Sequence, residues 1–129
     1  MCGDNRYGQL GFQENIIFSL NRYTPGLLDL YSNITFLVLG LFHTQFVVNE
    51  DLYSIGWNSF GELGLGDTNE RLIPTMVTYK PWAINSKIIQ IATGEYHSIF
   101  LTNISTAYSV GRNDVRIFIK KVRTTLYRK

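Results

Sequence analysis

Residues 56–64 read GWNSFGELG and residues 3–11 read GDNRYGQLG, so Gly3, Asn5, Gly8, Leu10 and Gly11 recur as Gly56, Asn58, Gly61, Leu63 and Gly64. Residues 111–113, GRN, start the phrase a third time, and the three starts lie 53 and 55 residues apart. Self-similarity at a long, nearly constant period marks an array, in which one unit cannot bury its apolar face alone and relies on its neighbours.

A second phrase keeps step with the first. Residues 34–56 read ITFLVLGLFHTQFVVNEDLYSIG and residues 88–111 read IIQIATGEYHSIFLTNISTAYSVG. Gly40 pairs with Gly94, His43 with His97, Thr44 with Ser98, Tyr53 with Tyr108, Ser54 with Ser109, and Gly56 with Gly111. Each copy is an apolar run, a G-x-x-H corner, a second run, a short polar turn and a third run ending in glycine. Runs this short, rich in Ile, Val, Phe, Tyr and Thr, predict sequential antiparallel strands and an all-β chain. Gly8, Gly11, Gly61 and Gly64 sit where the loops turn sharply, and Leu10 and Leu63 anchor them. Asn5 and Asn58 suit turns because a short amide bonds to nearby backbone. Pro25 and Pro74 lack an amide donor and belong at a strand start or outer edge.

These phrases resemble the regulator of chromosome condensation repeat. The resemblance is carried by Gly56, Asn58, Gly61, Leu63, Gly64, Gly66, Asp67, Thr68, Arg71 and Pro74, followed by Gly94 and His97. Arg22 and Pro25 echo Arg71 and Pro74, with four residues inserted before them and five missing before Gly40. The family's fold implies antiparallel blades of a β-propeller, about two blades in this chain. Its repeat order implies a first, divergent repeat over 1–51, a second with the start of a third over 52–114, and a basic tail over 115–129. Propellers have four to eight blades. The sequence is therefore expected to be a segment of a longer array or a truncated product, incomplete as a ring.

The 129 residues are 45% hydrophobic and 14% aromatic, enough for a core. A lone Cys2 excludes an internal disulfide or a cysteine-rich zinc site, which points to the cytosol or nucleus. The most apolar stretch, residues 34–48, contains His43, Thr44 and Gln45 and falls short of a membrane span, so no membrane partner is expected. The opening residues lack the apolar core of a signal peptide. With no such leader, the glycosylation patterns at Asn33 and Asn103 are read as accidental. The net charge of +2 hides an asymmetry: residues 1–111 carry −4 and residues 112–129 carry +6.

No catalytic, cofactor or metal residue is expected. His43 and His97 occupy one register, so each is read as a structural group in its own copy of one environment, bonding backbone across its corner. Residues 61–66 read GELGLG, which is neither a dinucleotide fingerprint nor a P-loop. Asp51, Asp67 and Glu70 read as solvated turn carboxylates with no partner that would make a catalytic dyad.

Since a propeller's work resides in its loops, the chain is expected to be a non-catalytic protein-protein interaction scaffold. Tyr7, Trp57, Phe60 and Tyr96 are its candidate anchors, with packing between blades the competing reading. The family's prototype exchanges guanine nucleotide on a small GTPase and docks on chromatin. That resemblance implies the alternative of an exchange-factor segment, with nucleic acid held by the basic tail. Residues 115–123 alternate like an edge strand whose charges discourage pairing, and the same charges would make DNA affinity salt-dependent. Self-assembly through exposed blade edges is a third expectation.

Overall fold

The computed structural model describes residues 3–11, 21–22, 33–78, 85–113 and 122–123. They form ten strands: β1 (Gly3–Asp4), β2 (Asn21–Arg22), β3 (Ile34–Leu39), β4 (His43–Val48), β5 (Asp51–Gly56), β6 (Arg71–Met76), β7 (Ile88–Thr93), β8 (His97–Thr102), β9 (Thr106–Gly111) and β10 (Val122–Arg123). All pairing is antiparallel. The chain is all-β, with four-stranded sheets ordered β3-β4-β5-β6 and β10-β9-β8-β7 and a two-stranded remnant β1-β2. These are two blades of an incomplete propeller. Each blade takes its strands from both sides of the repeated glycine loop.

The remnant is the outer half of a third blade. Gly3 pairs with Arg22 as Gly56 pairs with Arg71, so the echo of Arg71 by Arg22 is spatial as well as sequential. Pro25 lies outside the described residues. Pro74 lies in β6, the edge strand of its sheet, where its missing donor disrupts no inner ladder. Of the basic tail, Val122 and Arg123 pair with Ala107 and Thr106 at the edge of the second sheet. The rest lies outside the described residues.

The core lies between the two blades. Val47, Leu52, Val77, Ile88, Ile91 and Phe100 pack together, flanked by Phe36, Val38, Leu65, Tyr108 and Val110. β4 is buried along its whole length. Its two faces explain why: Val47 joins the core shared with the second blade, while Thr44 turns toward the remnant and bonds the Gln9 carbonyl. Strands buried on both faces need apolar residues on each, and β4 supplies Phe46 and Val48 beside Val47.

Two glycine pairs set the corners. Gly56 and Gly111 have φ of 113° and 111°, which L side chains rarely adopt, and a Cβ would strike the carbonyl oxygens of Phe42 and Tyr96. Gly40 and Gly94 have ordinary backbone but lie under the His43 and His97 rings, which fill the space a Cβ would take. The G-x-x-H spacing is thus a packing requirement: the ring folds back over its own glycine.

Gly56→Ala combines strain with a backbone clash, whereas Gly66→Ala, at φ 84° with open space around it, brings strain alone. Chemical denaturation should show the first costing about 3 kcal/mol and the second about 1 kcal/mol. Equal costs would mean that contact with the Phe42 carbonyl does not fix the corner.

Candidate functional site: an aromatic row across the repeated loops

The glycine loops are held by identical local bonds. The amide of Leu10 donates to Asn5 Oδ1 and that of Leu63 to Asn58 Oδ1, both at 2.9 Å. Gly8 and Gly61 donate to the Asn5 and Asn58 carbonyls, and Gly11 and Gly64 donate to those of Gly8 and Gly61. In the second copy the Asn58 amide also donates to the Asp67 and Asn69 carbonyls at 3.0 and 2.9 Å. Asp67 pairs with Arg71 at 2.7 Å, and this guanidinium holds the Asp67 carboxyl below its usual range. Leu10 and Leu63 are buried, which fixes both loops against their sheets.

A polar relay couples these loops to the next blade. Thr44 Oγ1 donates to the Gln9 carbonyl at 2.6 Å, and Ser98 Oγ donates to the Glu62 carbonyl at 3.0 Å. Ser98 has spent its one proton, so its lone pair accepts from His43 Nε2 at 2.9 Å. His43 is therefore the neutral Nε2–H tautomer. Burial, with the His97 charge second, lowers its pKa to about 4. A buried Ser–His contact invites a nucleophile reading, but the hydroxyl points its proton at a carbonyl. His43 Nδ1 has no partner to orient the ring, and neither residue is exposed.

Two details depart from the sequence reading. The His43 ring reaches the Ser98 hydroxyl in the next blade, where a backbone partner across the corner was expected. His97 keeps the corner but not the surroundings. It is half-buried and lines a pocket of about 70 Å³ with Ile99, Ser109, Val110, Gly111, Arg112 and Asn113. The reason is position: His43 is covered by the following blade, and no described blade follows His97.

Above the relay, the loops and corners assemble a row of rings. Trp57 meets Tyr7 at 4.6 Å, Tyr7 meets Phe42 at 5.5 Å, Phe42 meets Tyr96 at 6.0 Å and Tyr96 meets Phe60 at 5.2 Å. The Arg112 guanidinium caps the end, 5.1 Å from the Phe60 centroid and 5.6 Å from that of Tyr96. All four sequence-chosen aromatics are in the row. Phe42 and Arg112 were missed, although register could have found them: Phe42 matches Tyr96, and Arg112 follows Gly111 as Trp57 follows Gly56. Each ring is partly exposed, Phe60 most of all at 42%. Glu95 accepts from the Tyr96 hydroxyl and pushes its pKa up. Beneath the row, Glu62 Oε2 accepts the Phe60 amide, and burial raises the Glu62 pKa.

Among the described residues no cluster of three or more His, Cys, Asp or Glu could hold a metal, and no helix is long and apolar enough to cross a membrane. What remains is a rigid stack of repeats presenting an aromatic surface, which defines the class as a blade-built repeat protein. Models of the regulator of chromosome condensation (RCC1) repeat match residues 49–101 and 88–115, and the chain belongs to this family. It is 31% identical to the ultraviolet-B receptor UVR8 of Arabidopsis thaliana over 84% of its length and 24% of the receptor's. It is also 31% identical to the X-linked retinitis pigmentosa GTPase regulator homolog of Caenorhabditis elegans, over 93% of the chain and 9% of the relative. The crystal structure of Prp20p from Saccharomyces cerevisiae superposes with a TM-score of 0.70 at 27% identity, covering 87% of the chain and 26% of Prp20p. The chain thus spans between 9% and 26% of each of these proteins.

The relay has a pH signature. His43 has its folded pKa depressed from 6.5 to about 4, so its contribution is complete above pH 6.5 and lost as pH falls toward 4. Over that interval the unfolding free energy should drop by about 3 kcal/mol more in the wild type than in His43→Gln. Parallel pH profiles for the two would show that His43 is free to protonate in the folded chain.

Proposed function

We propose that the chain is a non-catalytic protein-protein interaction module whose contact surface is the aromatic row. The observation that carries this reading is the row itself: rings from the remnant and from both blades, held beside a buried hydrogen-bond relay, stay partly open to solvent. Aromatic side chains immobilised before binding lose little entropy on contact, and Trp, Tyr and Arg dominate the energies of interfaces. Residence in the cytosol or nucleus is part of the same proposal, supported by the lone Cys2. Tyr7→Ala with Phe60→Ala should weaken affinity for proteins cross-linked to the wild-type chain about thirtyfold while leaving the unfolding midpoint nearly unmoved. Unchanged affinity would remove the row from the interface.

A second reading draws support from the likeness to Prp20p, described for its binding to Gsp1p and histones. In it the chain is part of a guanine-nucleotide exchange factor for a small GTPase, with the basic tail of residues 115–129 contacting chromatin or nucleic acid. Acceleration of GDP release from a small GTPase by this chain alone would favour it. DNA retention at low salt should then vanish on deletion of residues 116–129. Release at the spontaneous rate, with retention indifferent to the deletion, would reject it.

A further inference from the structure

We infer that β1 and β3 together form a docking site for a β-hairpin with a G-x-x-H corner, supplied from outside residues 1–129, which joins the remnant as the inner half of its blade. The inference does not use the aromatic row. Three observations lead to it.

First, one apolar face is covered over only part of its width. Leu37 of β3 lies opposite Phe46 of β4 and Leu39 opposite Thr44, and alternation puts all four on one face. Phe36 and Val38, on the other face, pack toward the second blade. Phe46 and Thr44 have no exposed surface, whereas Leu37 and Leu39, one strand further in, are 40% and 56% exposed. The cover stops between β4 and β3.

Second, the second blade shows what belongs there. Ile91 faces Phe100 as Leu37 faces Phe46, and it is only 6% exposed. It packs in the cluster that Phe36 and Val38 of β3 flank. The cover at such a position is therefore the innermost strand of the preceding blade. For Leu37 and Leu39 the preceding blade is the remnant, whose β1 and β2 correspond to β5 and β6. Among the described residues nothing in it corresponds to the inner pair, β3 and β4.

Third, β1 has the form that receives a corner. Gly3 has φ of 121°, close to the 113° and 111° of Gly56 and Gly111. Over those two glycines lie the corners, Phe42 with His43 and Tyr96 with His97, so near that a Cβ would strike them. A Cβ on Gly3 would meet nothing within 4 Å. β5 and β9 are paired along both edges, whereas among the described residues β1 pairs with β2 alone.

A hairpin fits this site and a complete blade does not, because β1 and β2 already hold the outer half. The second strand of the hairpin extends the sheet from the edge of β1, with its histidine opposite Gly3 as His43 is opposite Gly56. Its first strand lays alternate apolar side chains on Leu37 and Leu39. Main-chain pairing sets the register, and removal of the leucines from water supplies attraction.

The receptor in the experiment is the full chain. The probe is a fluorescent peptide of residues 34–48, which form such a hairpin as β3 and β4, with a short lysine tail for solubility. Fluorescence anisotropy should show saturable binding at least about tenfold tighter than for the peptide carrying Phe36→Gln and Val38→Gln. Residues 34–39 alone, which cannot also reach β1, should be weaker by a similar factor. Leu37→Gln with Leu39→Gln in the chain should weaken the hairpin peptide at least about tenfold. Both positions are exposed, so thermal melts should place this variant near the wild type; if it is unfolded, the glutamine peptide against the wild-type chain decides. No saturable binding, equal binding of the glutamine peptide or of the single strand, or full binding by the folded double variant would each overturn the inference. Dimers of the chain alone that dissociate in the double variant would assign the face to a second copy and overturn it as well.

Discussion

The hydrogen-bond relay from His43 through Ser98 to the Glu62 carbonyl is the constraint on which the other features depend. It joins three segments distant in sequence, a corner, the next blade's corner and a glycine loop, in a site closed to water. A buried polar group without a partner costs roughly 1–3 kcal/mol, so each member forces the others into place. The glycine beneath the ring, the hydroxyl after the next histidine and the main-chain path of the G-x-L-G turn, which aims the Glu62 carbonyl, must all be correct for one bond network to close. Apolar packing between the blades supplies the bulk of the attraction, but it is tolerant of small slips. The relay is not, and it ties a glycine loop and a corner of one blade to the corner of the next.

Much of this was legible because the chain repeats itself. The two copies fix which residues correspond, so Gly56 and Gly111 share a conformation, and Asn5 and Asn58 share a bond. The alternation within residues 34–56 and 88–111 fixes the strands. What could not be read was where each blade begins. The repeat is cyclic, so the phrase GWNSFGELG serves equally as the end of one unit or the start of another, and only pairing between β5 and β6 shows that it lies inside a sheet. The ring partners were hidden for a related reason. Tyr7 and Phe42 are 35 residues apart and belong to different sheets, and sequence register says which residues are equivalent, not which equivalents touch.

Equivalence also stops at the ends of the array. His43 and His97 have the same corner, yet one is sealed and the other faces a pocket. Gln9 and Glu62 hold one loop position and accept the same kind of amide, from Tyr7 and Phe60. The first is neutral and the second is an acid that burial makes harder to ionise, with Oε1 left unpartnered. Since its folded pKa is raised, Glu62 weakens the fold as pH rises through that value, opposite in sign to His43. The relay is thus held between a base that resists protonation and an acid that resists ionisation, both for want of water.

Two kinds of position follow from this arrangement. Where a side chain enters the relay or lies under a ring, the repeats agree, because a change breaks bonds on both sides. Where it lies outside the relay they differ, and the residue after the first glycine of each phrase, half-buried each time, is Asp4, Trp57 or Arg112 in turn. Trp57 stands beside Tyr7 and Arg112 beside Phe60 and Tyr96, rings that stay aromatic at the matched places, while Asp4 pairs with Arg6. One supplies a paired acid, one a ring and one a cation. Such a scaffold keeps its rings and varies the residue beside them without disturbing the bonds that hold the blades together.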